Sequence, residues 1–149
     1  MTNVPAYYEH KGLAMRGYDM VHLLENKELV RGTYSHHYQG QEWRFVSEHN
    51  KAAFAERPEK YLPAYGGYCA WGASNGYKAH PRMDAWTIVE GKLYFNFSHY
   101  IKEHWQQDTE GFIALADQQW EETERTTPIK ANPTIIYLKY LLKGKRFFD

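Results

Sequence analysis

The single cysteine of the chain, Cys69, is the residue whose type and neighbours most directly suggest chemistry. It follows Gly66 and Gly67 and lies between Tyr68 and Trp71. Glycines let a thiol approach a cavity, and nearby backbone N–H groups stabilise a thiolate, so Cys69 is a candidate soft-metal ligand or redox group beside a concavity. Tyr68 and Trp71 are candidate ligand contacts, since their rings can stack on a flat molecule. The alternative is that Cys69 is a small buried hydrophobic residue and that both rings belong to the core.

Histidines supply the other candidate metal ligands. His36 and His37 are adjacent in a predicted strand, where side chains point alternately to opposite faces, so at most one of them faces inward. We take His37, His80 and His22 as the candidates that would join Cys69, and only the fold could bring them together. For each histidine the alternative is a surface position or a hydrogen-bonded core position.

Composition and charge exclude several classes of protein. The chain has 149 residues, a length that predicts one domain. Its 18 Lys and Arg balance its 18 Asp and Glu, so it has no net positive charge that would favour binding to nucleic acid. One cysteine excludes an intrachain disulfide and any zinc site that needs two thiolates from one chain. The sequence shows neither a signal peptide nor an apolar run of about 18 residues, so we expect a cytoplasmic protein without a membrane span.

Two β-hairpins and several short helices must position these side chains. The first hairpin spans Thr33 to Phe45 around Gln39-Gly40, and a helix capped by Ser47 follows it. The segments AWTIVE and KLYFNF form the second hairpin around Gly91. Helical periodicity then covers HYIKEHWQQD and EGFIALADQQWEE.

The remaining segments are less regular. Asp19 is predicted to cap a helix that begins at Met20, with an acid or base role as the alternative, and residues 61 to 72 read as a buried irregular loop. No internal repeat is expected. The fold class is therefore α+β, a small single domain in which two hairpins form an antiparallel sheet packed with short helices.

Four stretches in this order resemble the YHS-domain family, which is related to TRASH-type metal-trafficking modules. They are GLAMRGYDMVHLL, the block YSHHYQGQEWRFVSEHNKAAFAERPEKYLPAYGGYCAWG, AWTIVEGKLYFNF, and HWQQD followed by GFIALADQQW, and they cover about residues 12 to 121. The middle block contains the pattern FxSxxNxxxF followed by PEKYLPAYGGYCA. We accordingly divide the chain into a YHS-like domain at 1–122 and an extension at 123–149.

The resemblance implies a metal site that this sequence cannot build in the usual way. Metal-binding relatives carry two cysteines in an F-C-S-x-x-C arrangement at the junction of hairpin and helix. Here Val46 and Asn50 stand at the thiolate positions, so no zinc site is expected there. The chain resembles the single-cysteine branch of the family, whose recurrent feature is the cysteine that is Cys69 here.

The extension has its own character. Residues 1–122 carry a net charge of −4 and residues 123–149 carry +4. Asn132-Pro133 and Gly144 bracket TIIYLKYLLK, which predicts a helix that is apolar around most of its surface and basic at Lys139 and Lys143. Such a helix must dock on its own domain, on a second copy in a homo-oligomer, or on a membrane surface or another partner, and the first two are favoured.

These observations leave three functional hypotheses. The first is a binding or sensing module that holds a soft metal such as copper, or a small ligand, at a Cys69 pocket. The second is a thiol-dependent enzyme or redox protein that uses Cys69, and the third is a structural or interaction module whose metal site has decayed. The sequence has no Ser-His-Asp order, phosphate loop or paired-carboxylate motif that would identify a reaction. It therefore favours binding over catalysis without deciding between them.

Overall fold

The computed structural model describes residues 5–129, in which six α-helices and six β-strands form one small mixed domain, as predicted. The strands are β1 (Glu9–His10), β2 (Leu13–Ala14), β3 (Tyr34–Tyr38), β4 (Gln41–Phe45), β5 (Trp86–Val89) and β6 (Lys92–Phe95). The helices are α1 (Met20–Asn26), α2 (Glu48–Glu56), α3 (Pro58–Tyr61), α4 (Ala70–Ser74), α5 (His99–Gln106) and α6 (Thr109–Thr123). The predicted basic and apolar helix at 133–143 lies outside the described residues.

Both predicted hairpins are present, but each belongs to its own sheet. The first sheet has the order β1-β2-β4-β3, in which β2 pairs with β4 in parallel and the other pairs are antiparallel. Strands β5 and β6 form a separate two-stranded antiparallel sheet. Helices α2, α3 and α4 lie between the hairpins in the chain, and Leu93 and Phe95 of β6 belong to the same hydrophobic cluster as the inward residues of β4.

The predicted N-terminal caps of α1 and α2 are confirmed. The Asp19 carboxylate accepts a hydrogen bond from the backbone N–H of His22 and caps α1, and the Ser47 hydroxyl accepts one from Asn50 and caps α2. Residues 61 to 72 are buried as predicted, but they contain a 3₁₀ turn at Ala64–Gly67 and the start of α4 instead of continuous loop.

The two halves of the described chain repeat one arrangement, so the expectation of no internal repeat is wrong. Each half begins with three consecutive residues of positive φ, at 51°, 56° and 78° in the first half and 55°, 64° and 80° in the second. A short helix follows (α1 or α4), then a hairpin with glycine in its turn (Gly40 or Gly91), then a helix capped by serine (Ser47 or Ser98). The residues of the two opening turns are Met15, Arg16 and Gly17, and Tyr65, Gly66 and Gly67.

Asp19 and Cys69 occupy equivalent places in the two halves. Each follows a Gly-Tyr pair, caps the first helix of its half through its side chain, and donates its own backbone N–H to a carbonyl further along the chain, that of Val30 or Ala79. The two backbone hydrogen bonds have the same length, 2.9 Å. The repeat therefore extends to side-chain capping as well as to the order of elements.

The core consists of two hydrophobic clusters, of which the first takes residues from both halves, and Trp120 of α6 packs against both clusters. The first core centres on Trp43, Phe45 and Phe54, with Trp43 stacked on Phe54 at 5.1 Å between ring centroids. The second centres on Trp71 and Trp105. Within residues 5–129 no helix has the length and hydropathy to cross a membrane, and cytoplasmic localisation and the domain boundary at residue 122 stay predictions.

We expect Asp19→Ala to lower the free energy of unfolding by about 3 to 5 kcal/mol, because it removes the acceptor of several buried donors at once. Asp84→Ala is the matched control, since Asp84 forms an ion pair with Arg82 at an exposed position, and we expect it to cost less than about 1 kcal/mol. Urea denaturation followed by tryptophan fluorescence measures both. Equal losses of unfolding free energy in the two variants would show that Asp19 stabilises the fold no more than an exposed carboxylate does.

Candidate functional site

Cys69 lies in a sealed core, so the prediction that it borders a concavity is wrong. Its side chain is 0% exposed, its Sγ accepts a hydrogen bond from the Gly72 N–H, and its thiol donates to Asn96 Oδ1 at 3.4 Å. Burial raises the pKa of the Cys69 thiol to about 11, although backbone N–H groups, with that of Gly72 foremost, act in the opposite direction. The thiol is therefore protonated at neutral pH.

The two glycines before Cys69 are explained by packing. A Cβ on Gly66 would collide with the carbonyl oxygen of Ala6, and a Cβ on Gly67 would collide with the Sδ of Met15. Both residues also have positive φ, at 64° and 80°. They allow the N-terminal segment to approach the turn closely and do not open a passage to the thiol.

The predicted histidine ligands lie on different elements. His22 is on α1 with its Nε2 3.3 Å from Glu28 Oε1, His37 is exposed on β3, and His80 is an exposed residue whose ring packs on Tyr8. Burial, followed by the charge of Arg16, lowers the pKa of His80. Among residues 5–129 no three His, Cys, Asp or Glu side chains are arranged to hold a metal ion, so these histidines and Cys69 do not assemble in this structure.

Tyr68 and Trp71, the predicted ligand contacts, are core residues. Tyr68 is 3% exposed and Trp71 is 2% exposed. The ammonium of Lys78 lies 5.1 Å from the centre of the Tyr68 ring, and Trp71 packs edge-on against Phe97. Burial raises the pKa of Tyr68 to about 12. Neither ring offers a face on which a ligand could stack.

A hydrogen-bonded carboxylate fills the hairpin-helix junction where the resemblance would put two thiolates. Asp19 Oδ2 accepts from the Val46 backbone N–H at 2.8 Å and from Asn50 Nδ2 at 2.9 Å, while Asp19 Oδ1 accepts from the His22 N–H. Asp19 is 0% exposed. Its oxygens are used by protein donors, so the junction is a structural node.

A cleft of about 580 Å³ between the two halves combines aromatic and charged groups, and we call it the aromatic cleft. The Tyr65 ring lies 5.3 Å from the Trp120 ring and 5.9 Å from the Tyr94 ring, and Tyr7 of the first half also lines the cleft. The Tyr65 hydroxyl donates to Asp117 Oδ1 at 3.0 Å, which fixes the ring. Burial, then this hydrogen bond, raises the pKa of Tyr65 far above its usual value.

Lys92 is the cation of the aromatic cleft. Burial lowers the pKa of its ammonium, and within residues 5–129 that ammonium has no ion-pair or hydrogen-bond partner. Three carboxylates also line the cleft, those of Glu59, Asp117 and Glu124, and all three residues are exposed. A half-buried charge without a partner is the group in the cleft that gains most from a ligand of opposite charge.

The sequence did not indicate this cleft, because its lining comes from segments far apart in the chain. Tyr7, Tyr65, Lys92 and Trp120 have no common motif, and their convergence depends on how the two halves pack. Only the position of Lys92 could be predicted locally, because it follows the hairpin turn at Gly91 and begins β6.

The comparisons with known proteins match one part of this fold. The family model for the YHS domain matches residues 26–65, which contain the first hairpin, α2 and α3. Comparison with curated proteins and with solved structures gave no match. The matched segment includes the FxSxxNxxxF pattern and ends just before Gly66 and Cys69. This match confirms the resemblance to the YHS-domain family over the first hairpin and the two helices that follow it.

Proposed function

We propose that the protein is a non-catalytic binding module that holds a small planar organic acid in the aromatic cleft. The observation that carries the proposal is the partly buried, unpartnered ammonium of Lys92 beside a wall of aromatic rings. This moves the binding site away from Cys69, whose thiol belongs to the core.

The aromatic wall favours a flat ligand. Tyr65 is held by its hydrogen bond to Asp117 and by its ring contacts with Trp120 and Tyr94, so the wall is formed before any ligand arrives. Preformed aromatic surfaces bind planar molecules at a small entropic cost. The volume of about 580 Å³ suits a small molecule.

Charge favours an acid that carries one negative charge. An anionic group beside Lys92 would gain a charge-assisted hydrogen bond in a partly desolvated place. The exposed carboxylates of Glu59, Asp117 and Glu124 repel additional negative charge, although water and salt screen them. A monocarboxylate or a sulfonate on an aromatic ring meets both conditions.

A soft metal such as copper, which the family resemblance implies, does not fit the residues of the described chain. Val46 and Asn50 replace the thiolates at the junction, and the one thiol is buried and protonated at neutral pH. A soft cation needs ionised sulfur or several imidazoles around one point. The thiol-dependent enzyme is disfavoured for the same reason, because a nucleophilic cysteine must be accessible and ionised.

We expect the native protein to resist dithiobis-nitrobenzoate and to release one thiol per chain only after unfolding in guanidinium. A thiol with a pKa of about 11 is ionised in only about one molecule in 10⁴ at pH 7, and the reagent cannot reach it. The control is Ala52→Cys in the Cys69→Ala background, because residue 52 is exposed on α2. Native Cys69 reacting as fast as this control would restore the thiol-dependent hypotheses.

We expect zinc and copper to bind no more tightly to the wild-type protein than to Cys69→Ala. The reason is that residues 5–129 contain no cluster of metal-binding side chains. Metal content after dialysis, and the shift in melting temperature when a chelator is added, measure this. Stoichiometric metal that disappears with Cys69 would contradict the proposal.

We expect anilinonaphthalene sulfonate to bind the folded protein at one saturable site and benzoate to displace it. Lys92→Met should weaken the sulfonate about tenfold or more, the size of one charge-assisted hydrogen bond. Lys102→Met on α5, which does not line the aromatic cleft, is the matched control and should leave the affinity unchanged. Equal affinities in the two variants, measured by fluorescence with near-ultraviolet circular dichroism as a folding check, would refute the assignment of this cleft.

A further inference from the structure

A second concave surface, which we call the basic pocket, lies in the first half and is independent of the aromatic cleft. It has a volume of about 400 Å³, and its charged lining consists of five residues that carry positive charge or can acquire it and no carboxylate. These residues are His10, Lys11, Arg16, Arg31 and Arg44. The rest of its lining is Leu13 with two glycines, so little else shields the cations from one another.

Two of the arginines are held in place through their Nε atoms. Arg16 Nε donates to the Tyr8 hydroxyl at 2.8 Å. Arg31 Nε donates to the Arg16 backbone carbonyl at 3.3 Å, and the Arg31 guanidinium lies 4.6 Å from the centre of the Tyr18 ring. These contacts orient both guanidinium groups and leave their Nη nitrogens available for a ligand.

Carboxylates neutralise only part of this charge. Within residues 5–129 neither Arg16 nor Arg31 forms an ion pair, and only Arg44 does, with Glu42. The crowding of cations also acts on His10, whose pKa is lowered by burial and then by Arg16 and Lys11. Positive groups held together without counter-ions destabilise one another, and a bound anion would relieve this.

Comparison of the two halves shows that the backbone of the opening turn does not require an arginine at residue 16. Its equivalent in the second half is Gly66, and both residues have positive φ, at 56° and 64°. A non-glycine residue there costs about 1 kcal/mol or more in backbone strain relative to glycine. The first half thus has an arginine where the same turn is built with glycine in the second, and the Arg16 guanidinium faces a pocket.

We propose that the basic pocket binds the phosphate group of a small phosphorylated molecule. A phosphate presents several oxygens in a compact dianion, which suits two guanidinium forks and a lysine better than a single carboxylate does. A neighbouring cavity of about 350 Å³ shares Arg16 and Arg31 with the pocket, and its other lining is mixed: Tyr18, Leu29, Pro81 and Met83 are largely apolar, and Arg82 and Asp84 are an ion pair. The rim carboxylates make the aromatic cleft unsuitable for the same dianion.

The test is isothermal titration of the full-length protein with inorganic phosphate and with glycerol phosphate. We expect both to bind, glycerol phosphate more tightly, and Arg31→Gln to weaken each about tenfold or more. Arg16→Gly should do the same while relieving backbone strain, so its melting temperature shows that a loss of binding is not a loss of fold. Arg57→Gln, at an exposed residue outside the pocket, is the matched control and should bind as the wild type does.

Three results would overturn the proposal: absence of binding at millimolar phosphate, equal binding by wild type and both pocket variants, or tighter binding of single-stranded oligonucleotides than of glycerol phosphate. The last result would assign the surface to nucleic acid, with a steep dependence on salt concentration. Lys92→Met separates this site from the aromatic cleft, since it should lose the sulfonate and keep phosphate.

Discussion

The buried carboxylate of Asp19 ties together the opening turn, α1 and the junction between β4 and α2. A buried carboxylate is costly unless donors surround it, and Asp19 has three, from His22, Val46 and Asn50. These donors come from positions up to 31 residues away, so the carboxylate fixes how the hairpin sits on the first helix. The same bonds use the side chain of Asn50 and the backbone of Val46, and this turns the place of a metal site into a structural node.

Cys69 plays the corresponding part in the second half with weaker and uncharged chemistry. Its sulfur caps α4 and contacts the amide of Asn96, which also accepts the backbone N–H of Trp71. A thiol bonded to an amide costs less to bury than a carboxylate, so the second half needs fewer donors at this point. The lone cysteine is therefore explained by its place in the repeat.

Local features of the fold could be predicted from the sequence, and features that depend on distant segments could not. The caps at Asp19 and Ser47 and the hairpin turns at Gly40 and Gly91 depend on a few neighbouring residues, and all four are where the sequence places them. The separation of the hairpins into two sheets depends on the packing of the helices between them. No local pattern encodes that.

The candidate site shows the same division. Gly66 and Gly67 suggested an approach to Cys69, but the atoms that require them belong to Ala6 and Met15, about 50 to 60 residues earlier in the chain. The repeat did leave a signal: Gly-Tyr precedes both Asp19 and Cys69, and in each hairpin a glycine stands seven residues before the capping serine. Asp19 and Cys69 differ in chemistry, so their residue types do not show that the two positions are equivalent. The backbone geometry and the capping hydrogen bonds do show it.

Duplication of one supersecondary unit explains why binding surfaces of opposite character lie on so small a chain. The aromatic cleft lies where the two halves meet, with Tyr7 on one side and Tyr65 and Trp120 on the other. Each half has an opening turn, and the two turns have the same backbone conformation but different side chains. In the second half Gly66 lets the N-terminal segment cross the turn at contact distance, with the Tyr8 N–H donating to the Gly66 carbonyl at 2.7 Å.

In the first half the equivalent position is Arg16, which lies beside Arg31 in the basic pocket. An arginine at Gly66 would collide with Ala6, whereas the Arg16 side chain lines the basic pocket and is held there by the Tyr8 hydroxyl. The steric constraint on the second turn thus decides which half can carry the charge.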